Sequence, residues 1–341
     1  MAADESSIST PTVHLMGPGK LKVVNGRLAY ATGNGPPTRL DPARLKHILC
    51  YGHVGISDEA FTALFRNGVE VSWLSPRGAR FRGRLTRVVD EAAQLRILQH
   101  RAALDPRHKL ELARALVADK VRSQIEGARH YQRHGSRDAK DFLRRAPRRL
   151  KDIEQAADLD VLRGLEGSST KTWFTLLGAL FESPWSFTAR VRRPPTDPVN
   201  ALLSLGYTWL LNRMIARLDA EGLEVNVGML HEYRAGRPSL ACDLIEPLRV
   251  PLVDRWVLKL CGRAWVKPED FVGVGGGVQL QQEAFRRVLG LWETDWLENH
   301  GARQVEKRVH HFAASLRRLA DAADTEQEPV KVGSSLGREA L

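Results

Sequence analysis

Cysteine is scarce. Cys50, Cys242 and Cys261 are the only three in 341 residues, and no two are spaced as a CxxC pair. A disulfide framework and a thiolate zinc site are both disfavoured, and a reducing cytoplasm is the expected location. Long apolar runs are lacking too. No stretch approaches the roughly 18–20 residues that a membrane span needs. The first ten residues, Met1 to Thr10, are acidic and polar, without the basic start and apolar run of a secretory signal. A phosphate loop is excluded: Gly273-Val274-Gly275-Gly276-Gly277 is followed by no Gly-Lys-Ser/Thr, and no GxGxxG opens a helix after a strand. That run reads as a turn. The HExxH pattern of helical zinc hydrolases is also missing.

Basic charge, by contrast, is in excess. Lysine and arginine number 51 against 40 aspartates and glutamates, giving a net charge of +11. A polyanionic partner such as nucleic acid becomes plausible, because basic groups release the counterions condensed on it. Apolar residues at 43% and charged residues at 27% match an ordinary globular chain with enough length for two modest cores.

Residues 12–86 read as a β-rich domain after a flexible start at 1–11. Val13–Met16 and Leu21–Ala31 carry short alternating runs broken by Gly17-Pro18-Gly19 and Asn25-Gly26, and Asn-Gly between strand-like runs is a hairpin signal. Ser57-Asp58-Glu59 caps a predicted helix with Ala60, Phe61, Leu64 and Phe65 on one face, ended by Gly68. Beyond residue 86 the period changes from two to 3.6. Helices are predicted over 91–101, 106–134, 139–157, 160–181, 199–221 and 239–260. The fold class is therefore α+β: a small N-terminal β-rich domain, then a larger all-helical domain over 87–320. Residues 321–341 form poorly periodic sequence that can bury little, and disorder is expected there.

The richest stretch for chemistry runs from Leu230-His231-Glu232 to Asp243-Leu244-Ile245-Glu246. Ala235–Pro238 is a turn and Ser239 a candidate N-cap. Asp243 and Glu246, three apart, share one face near the positive end of the following helix. The turn can bring His231 back toward that face. Carboxylate with imidazole suits Mg²⁺ or Mn²⁺. Equally, the acids can serve the helix dipole and the histidine can be an ordinary loop residue. Glu166, in Gly164-Leu165-Glu166-Gly167-Ser168-Ser169, sits among small residues that permit close backbone approach or close helix packing. Basic residues cluster at Arg77, Arg80, Arg82, Arg84 and Arg87, at Arg144, Arg145, Arg148, Arg149 and Lys151, and at Arg190, Arg192 and Arg193. Each is a candidate to track phosphates, and each is also compatible with a solvated face. Trp173, Trp185 and Trp209 read as core residues.

Three segments taken together resemble one family. They are Gly164-Leu165-Glu166-Gly167 with Trp173-Phe174, then 193–207 (Arg193-Pro194-Pro195-Thr196-Asp197-Pro198-Val199-Asn200 and onward to Tyr207), then Leu230-His231 through Ser239-Leu240-Ala241 to Asp243-Leu244-Ile245-Glu246-Pro247-Leu248-Arg249. Ile48–Ser57, Gly68-Val69 and Trp73-Leu74-Ser75 add to the likeness. The family is the CRISPR-associated spacer-acquisition integrase/endonuclease, and the resemblance spans roughly residues 12–320. It implies a divalent-metal-dependent DNA endonuclease and transesterase that inserts new spacers into a CRISPR array. Its glutamate, histidine and final acidic ligand fall on Glu166, His231 and Glu246, with Asp243 as neighbour or alternative. The implied cofactor is Mg²⁺ or Mn²⁺. The implied partners are double-stranded DNA, a second copy of the chain and the small second protein of the adaptation complex. Arg190, Arg193, Arg237 and Arg249 lie near these segments as candidate DNA contacts. Leu248 and Val250 stand where phenylalanine and proline are usual, a difference that affects packing. Two rival readings remain: a non-catalytic nucleic-acid-binding scaffold, and an unrelated metal-dependent hydrolase of small phosphoesters.

Overall fold

The computed structural model describes residues 7–8, 12–33, 35–76, 78, 81–85, 92–133 and 136–326. Strands come first. One sheet holds β1 (Ser7–Ile8), β3 (Gly19–Val24), β4 (Arg27–Ala31), β5 (Thr38–Leu40) and β7 (Val54–Ile56) in the order β1-β5-β4-β3-β7. A second holds β2 (Thr12–Met16), β6 (His47–Tyr51), β8 (Glu70–Leu74) and β9 (Phe81–Leu85) in the order β2-β6-β8-β9. Asn25 and Gly26, at φ 50° and 76°, make the β3–β4 turn, in which both central residues take positive φ. Helix α1 (Asp58–Arg66) starts where Ser57 accepts a hydrogen bond from the Ala60 amide.

The parallel triplet β2-β6-β8 explains a sequence that does not alternate. Every residue of β6 is buried. Ile48 and Cys50 pack in the core of the β region, whereas Leu49 and Tyr51 join the core of the helices. A sheet covered on both faces favours a continuous apolar run.

Helices follow: α2 (Ala92–Leu104), α3 (Pro106–Arg133), α4 (Arg137–Glu154), α5 (Leu159–Gly178), α6 (Pro198–Glu221), α7 (Ser239–Ile245), α8 (Arg255–Gly262), α9 (Gln282–Glu298) and α10 (Gly301–Glu326). Asp197 caps α6, Pro198 opens it and Gly222 ends it in the left-handed region. Its residues are buried on nearly all sides, as befits a central helix. No helix among the described residues is long and apolar enough to cross a membrane.

Several expectations are corrected. The start is not wholly irregular, because Ser7–Ile8 pair in parallel with Arg39–Leu40. The helical part also carries a hairpin, β10 (Phe271–Val274) and β11 (Gly277–Leu280), so the glycine run is a turn between two strands. The expected helix 239–260 is broken. Pro247 and Pro251 lack the N–H that an α-helix needs, and a 3-10 turn (Glu246–Leu248) and a π turn (Val250–Asp254) separate α7 from α8. Finally, α10 runs past residue 321 to Glu326. The expected boundary at 86/87 and the tail from 327 lie outside the described residues.

Candidate functional site

Three elements meet at Gly127 of α3. A Cβ there would stand 2.8 Å from Trp173 of α5 and 2.8 Å from Val250, just past Glu246. Only hydrogen leaves room there for the Trp173 ring and the Val250 methyl group. About one and two helical turns further back along this face lie Gln124 and Lys120. Gln124 accepts a hydrogen bond from Ser169 Oγ at 2.7 Å. Lys120 Nζ contacts Glu166 Oε1 and lies 2.7 Å from Glu246 Oε2.

Two carboxylates, 80 residues apart in sequence, therefore touch one ammonium nitrogen. Lys120 and Glu246 are nearly buried, whereas Glu166 keeps 22% of its side chain exposed. Thr170 Oγ1 donates to Glu166 Oε1 at 2.9 Å. Arg249 Nη1 approaches Glu246 Oε1 at 2.9 Å. Burial alone would push the Glu246 carboxyl up, but the Arg249 guanidinium and the Lys120 ammonium outweigh it and hold it at about 2.

His231 reaches this place as the spacing suggested. Asp243 is fully buried on α7, and both its oxygens are engaged. Oδ2 accepts from the amides of Met229 and Leu230 at 2.7 and 3.0 Å, and Oδ1 from the His231 amide at 3.1 Å. Oδ1 also lies 2.5 Å from His231 Nδ1. With Nδ1 as the donor, Nε2 carries the lone pair. Asp243 thus folds the 229–231 loop onto the helix, which leaves it no free oxygen to act as a ligand. The loop is pinned further: Glu232 pairs with Arg163 at 2.5 Å, and Ser239 Oγ donates to the Glu232 carbonyl at 3.0 Å. Ser239 is then the first helical residue and not the cap, which is Pro238.

Among the described residues no three His, Cys, Asp or Glu side chains are arranged to hold a metal ion. The cation at the centre is the Lys120 ammonium. The donor set still suits a divalent ion. Two hard carboxylates are drawn to one point, an oriented imidazole stands beside them, and Glu246 Oε2 is buried without a well-aligned hydrogen bond.

Behind the site lies a polar layer that sequence reasoning missed. Arg249 stacks on the Tyr207 ring at 4.8 Å. The Tyr207 hydroxyl donates to Asp254, whose other oxygen accepts from Trp173 Nε1 at 2.7 Å. Burial raises the Asp254 carboxyl to about 6, against the pull of Tyr207, Trp173 and Arg249. The signals were faint: Lys120 and Gln124 interrupt an otherwise apolar face of α3, and Asp254 is a lone acid in an apolar run.

The candidate DNA contacts divide. Arg190 is turned inward, with Nη1 on Asn200 Oδ1 at 2.8 Å and Nη2 on Ser204 Oγ at 2.9 Å. Arg249 is held by Glu246. Arg193 is exposed and Arg237 half-buried. Arg84 is committed to Asp219 at 2.5 Å; Arg77, Arg80 and Arg87 lie outside the described residues. On α4, Arg149 leans on Phe142 and Thr172, while Arg144 and Arg148 face solvent. Gly164 and Gly167 face open space, so neither marks close packing. Trp173 and Trp209 are core residues, as expected, and Trp185 packs at the core's edge.

The family model for CRISPR associated protein Cas1 matches residues 13–294. The chain belongs to the Cas1 family. Among its Cas1 relatives is the CRISPR-associated endonuclease Cas1 3 of Thermus thermophilus, 36% identical over 249 residues, or 73% of each chain. The fold is that of a CAS1 protein from Thermotoga maritima, with a TM-score of 0.80 over 90% of this chain and 97% of that one at 20% identity. A casposase bound to integration product shares it with a TM-score of 0.72, over 89% of each chain at 20% identity. So does a Cas6-RT-Cas1–Cas2 complex, with a TM-score of 0.73, 94% of this chain, 35% of that one and 21% identity.

Proposed function

We propose that this Cas1 family member is a divalent-metal-dependent DNA integrase and endonuclease that inserts new spacers into a CRISPR array. The observation that carries the proposal is the convergence of Glu166 and Glu246 on one cation, with His231 oriented beside them by Asp243. Two acids from separate elements sharing one buried ammonium form the kind of charged cluster that marks a functional site. Glu166, His231 and Glu246 would hold Mg²⁺ or Mn²⁺. When bound, such an ion supplies polarisation and charge neutralisation at a phosphodiester.

The reaction is a transesterification. A prespacer 3′-hydroxyl attacks the phosphorus at a repeat edge in line. One P–O bond forms, one breaks, and the departing strand ends in a 3′-hydroxyl that takes up the proton lost by the nucleophile. The chain's part is to orient and to balance charge. Asp243 fixes the His231 ring, and Arg249 and Lys120 keep the Glu246 carboxylate ionised. With water as nucleophile the same site nicks DNA. The proposed setting is the cytoplasm, with double-stranded prespacer and repeat DNA, a second copy of the chain, and the small second protein of the adaptation complex. The Cas1–Cas2 assembly with the same fold supports that last partner.

The test is a strand-joining assay with a repeat-bearing plasmid and a prespacer duplex, with and without divalent ion. Joining should need the ion and should fall at least about a hundredfold in Glu166→Ala, His231→Ala and Glu246→Ala, the scale of lost electrostatic catalysis, with DNA binding kept. DNA binding without joining in the wild type would make the chain a scaffold, and undiminished joining in all three variants would place the chemistry elsewhere. Turnover of a small phosphodiester without DNA preference would make it a different hydrolase.

A further inference from the structure

The charges at the site are matched before any ion arrives. Glu166 and Glu246 carry two negative charges, and Lys120 and Arg249, in direct contact with them, carry two positive ones. The remaining acid of the site, Asp243, is offset separately by three backbone amides and the His231 ring. Lys120 sits between both carboxylates, with 5% of its side chain exposed. A divalent ion held by the same two acids meets that ammonium at ion-pair range.

Two consequences follow from electrostatics. Adding an ion of charge two to a balanced, largely buried cluster leaves a surplus of two positive charges, and an uncompensated charge in such surroundings is unfavourable. The group able to offset that surplus is an anion at the open side of the site, where Glu166 is partly exposed. A phosphodiester is such an anion. Lysine is also the residue type suited to moving between partners, since its ammonium is a point charge on a flexible four-carbon stem.

We infer that Lys120 is a positioning residue that couples metal binding to DNA binding: ion and phosphodiester enter as a pair, and the ammonium passes from the two carboxylates to the phosphate. This rests on the reading of Glu166, His231 and Glu246 as ligands. Without DNA, Lys120 and Arg249 hold metal affinity down. With DNA, the same charges favour the ternary state, and by linkage the ion tightens DNA binding by an equal factor.

The experiment measures Mn²⁺ affinity of the full chain by calorimetry, with and without a duplex ending in 3′-deoxynucleotides, which cannot join. The Glu166→Gln/Glu246→Gln double variant with the same duplex serves as the blank. The wild-type Kd for Mn²⁺ should tighten roughly tenfold or more on adding DNA, within the span usual for coupled sites. Lys120→Met, which keeps an unbranched stem without the charge, should bind Mn²⁺ more tightly than wild type in the absence of DNA, and its coupling should shrink toward one. Lys120→Arg should keep the coupling. An Mn²⁺ affinity indifferent to DNA in the wild type overturns the inference. So does a folded Lys120→Met with unchanged or weaker binding. If Lys120→Met does not fold, the wild-type comparison and Lys120→Arg still decide. Equal Mn²⁺ binding by the double variant would instead remove the ligand reading itself.

Discussion

Two buried charge clusters in this molecule differ in one respect. At the junction of the β region with the helices, Glu293 of α9 is a single carboxylate with two partners. Arg213 of α6 grips both its oxygens at 2.5 and 2.7 Å, and His14 of β2 approaches at 2.8 Å. Arg213 also stacks on Trp296 at 4.4 Å and donates to Thr12 Oγ1 at 2.9 Å. His14 is closed off by Tyr51. Burial would raise the Glu293 carboxyl, but His14 and Arg213 bring it to about 2. At the candidate site two carboxylates share one ammonium, and a second cation, Arg249, pairs with Glu246 alone. A cluster in which each charge has its own partner joins two parts of a fold. One in which two acids share a single flexible lysine can release that ammonium when another cation and an anion arrive together.

The comparison can be broken at either end. The largest effect belongs to the junction. Glu293→Ala should lower stability by about 3–5 kcal/mol, the range for breaking a buried pair, while strand joining per folded molecule persists; denaturant titration and a joining assay at low temperature check both halves. Next comes Asp243→Asn. It keeps the size of the side chain but puts an N–H where an oxygen accepted, which loosens the 229–231 loop and releases the His231 tautomer. Metal affinity and joining should fall about 10- to 100-fold, as for lost partners of metal ligands. An unchanged Mn²⁺ titration would show that Asp243 does not orient the ring. The smallest effect is on acid stability. Burial lowers His47 to about 3, beside Ser72 in the second sheet. The unfolded chain takes up a proton there near pH 6.5 and the folded chain does not. Stability is therefore lost as pH falls from about 6.5 toward 3, by about 1.4 kcal/mol at pH 5.5. His47→Gln should flatten that part of a melting-temperature profile.

The β region was legible where local chemistry dominates. Asn25-Gly26 made its turn and Ser57 its cap, because each depends on a few neighbouring atoms. Ser7–Ile8 escaped notice, since a two-residue strand exists only by pairing with β5. The break after Glu246 was signalled by Pro247 and Pro251, yet the apolar spacing ran on through both. For the site, spacing suggested that His231 would fold back toward the face carrying Asp243 and Glu246, while the ligand roles of Glu166, His231 and Glu246 were assigned through the family likeness. Lys120 was invisible because its meaning is tertiary: a lysine on a helix reads as solvated until the partners facing it are known. Arg190 was misplaced for the same reason, its guanidinium being enclosed by Asn200 and Ser204.

The most direct test is an anomalous-scattering map from crystals soaked in Mn²⁺. The account predicts one peak bonded to Glu166, His231 and Glu246 at about 2.0–2.4 Å, with the Lys120 ammonium displaced from between the acids. No peak there, with Lys120 still bridging Glu166 and Glu246, would contradict it.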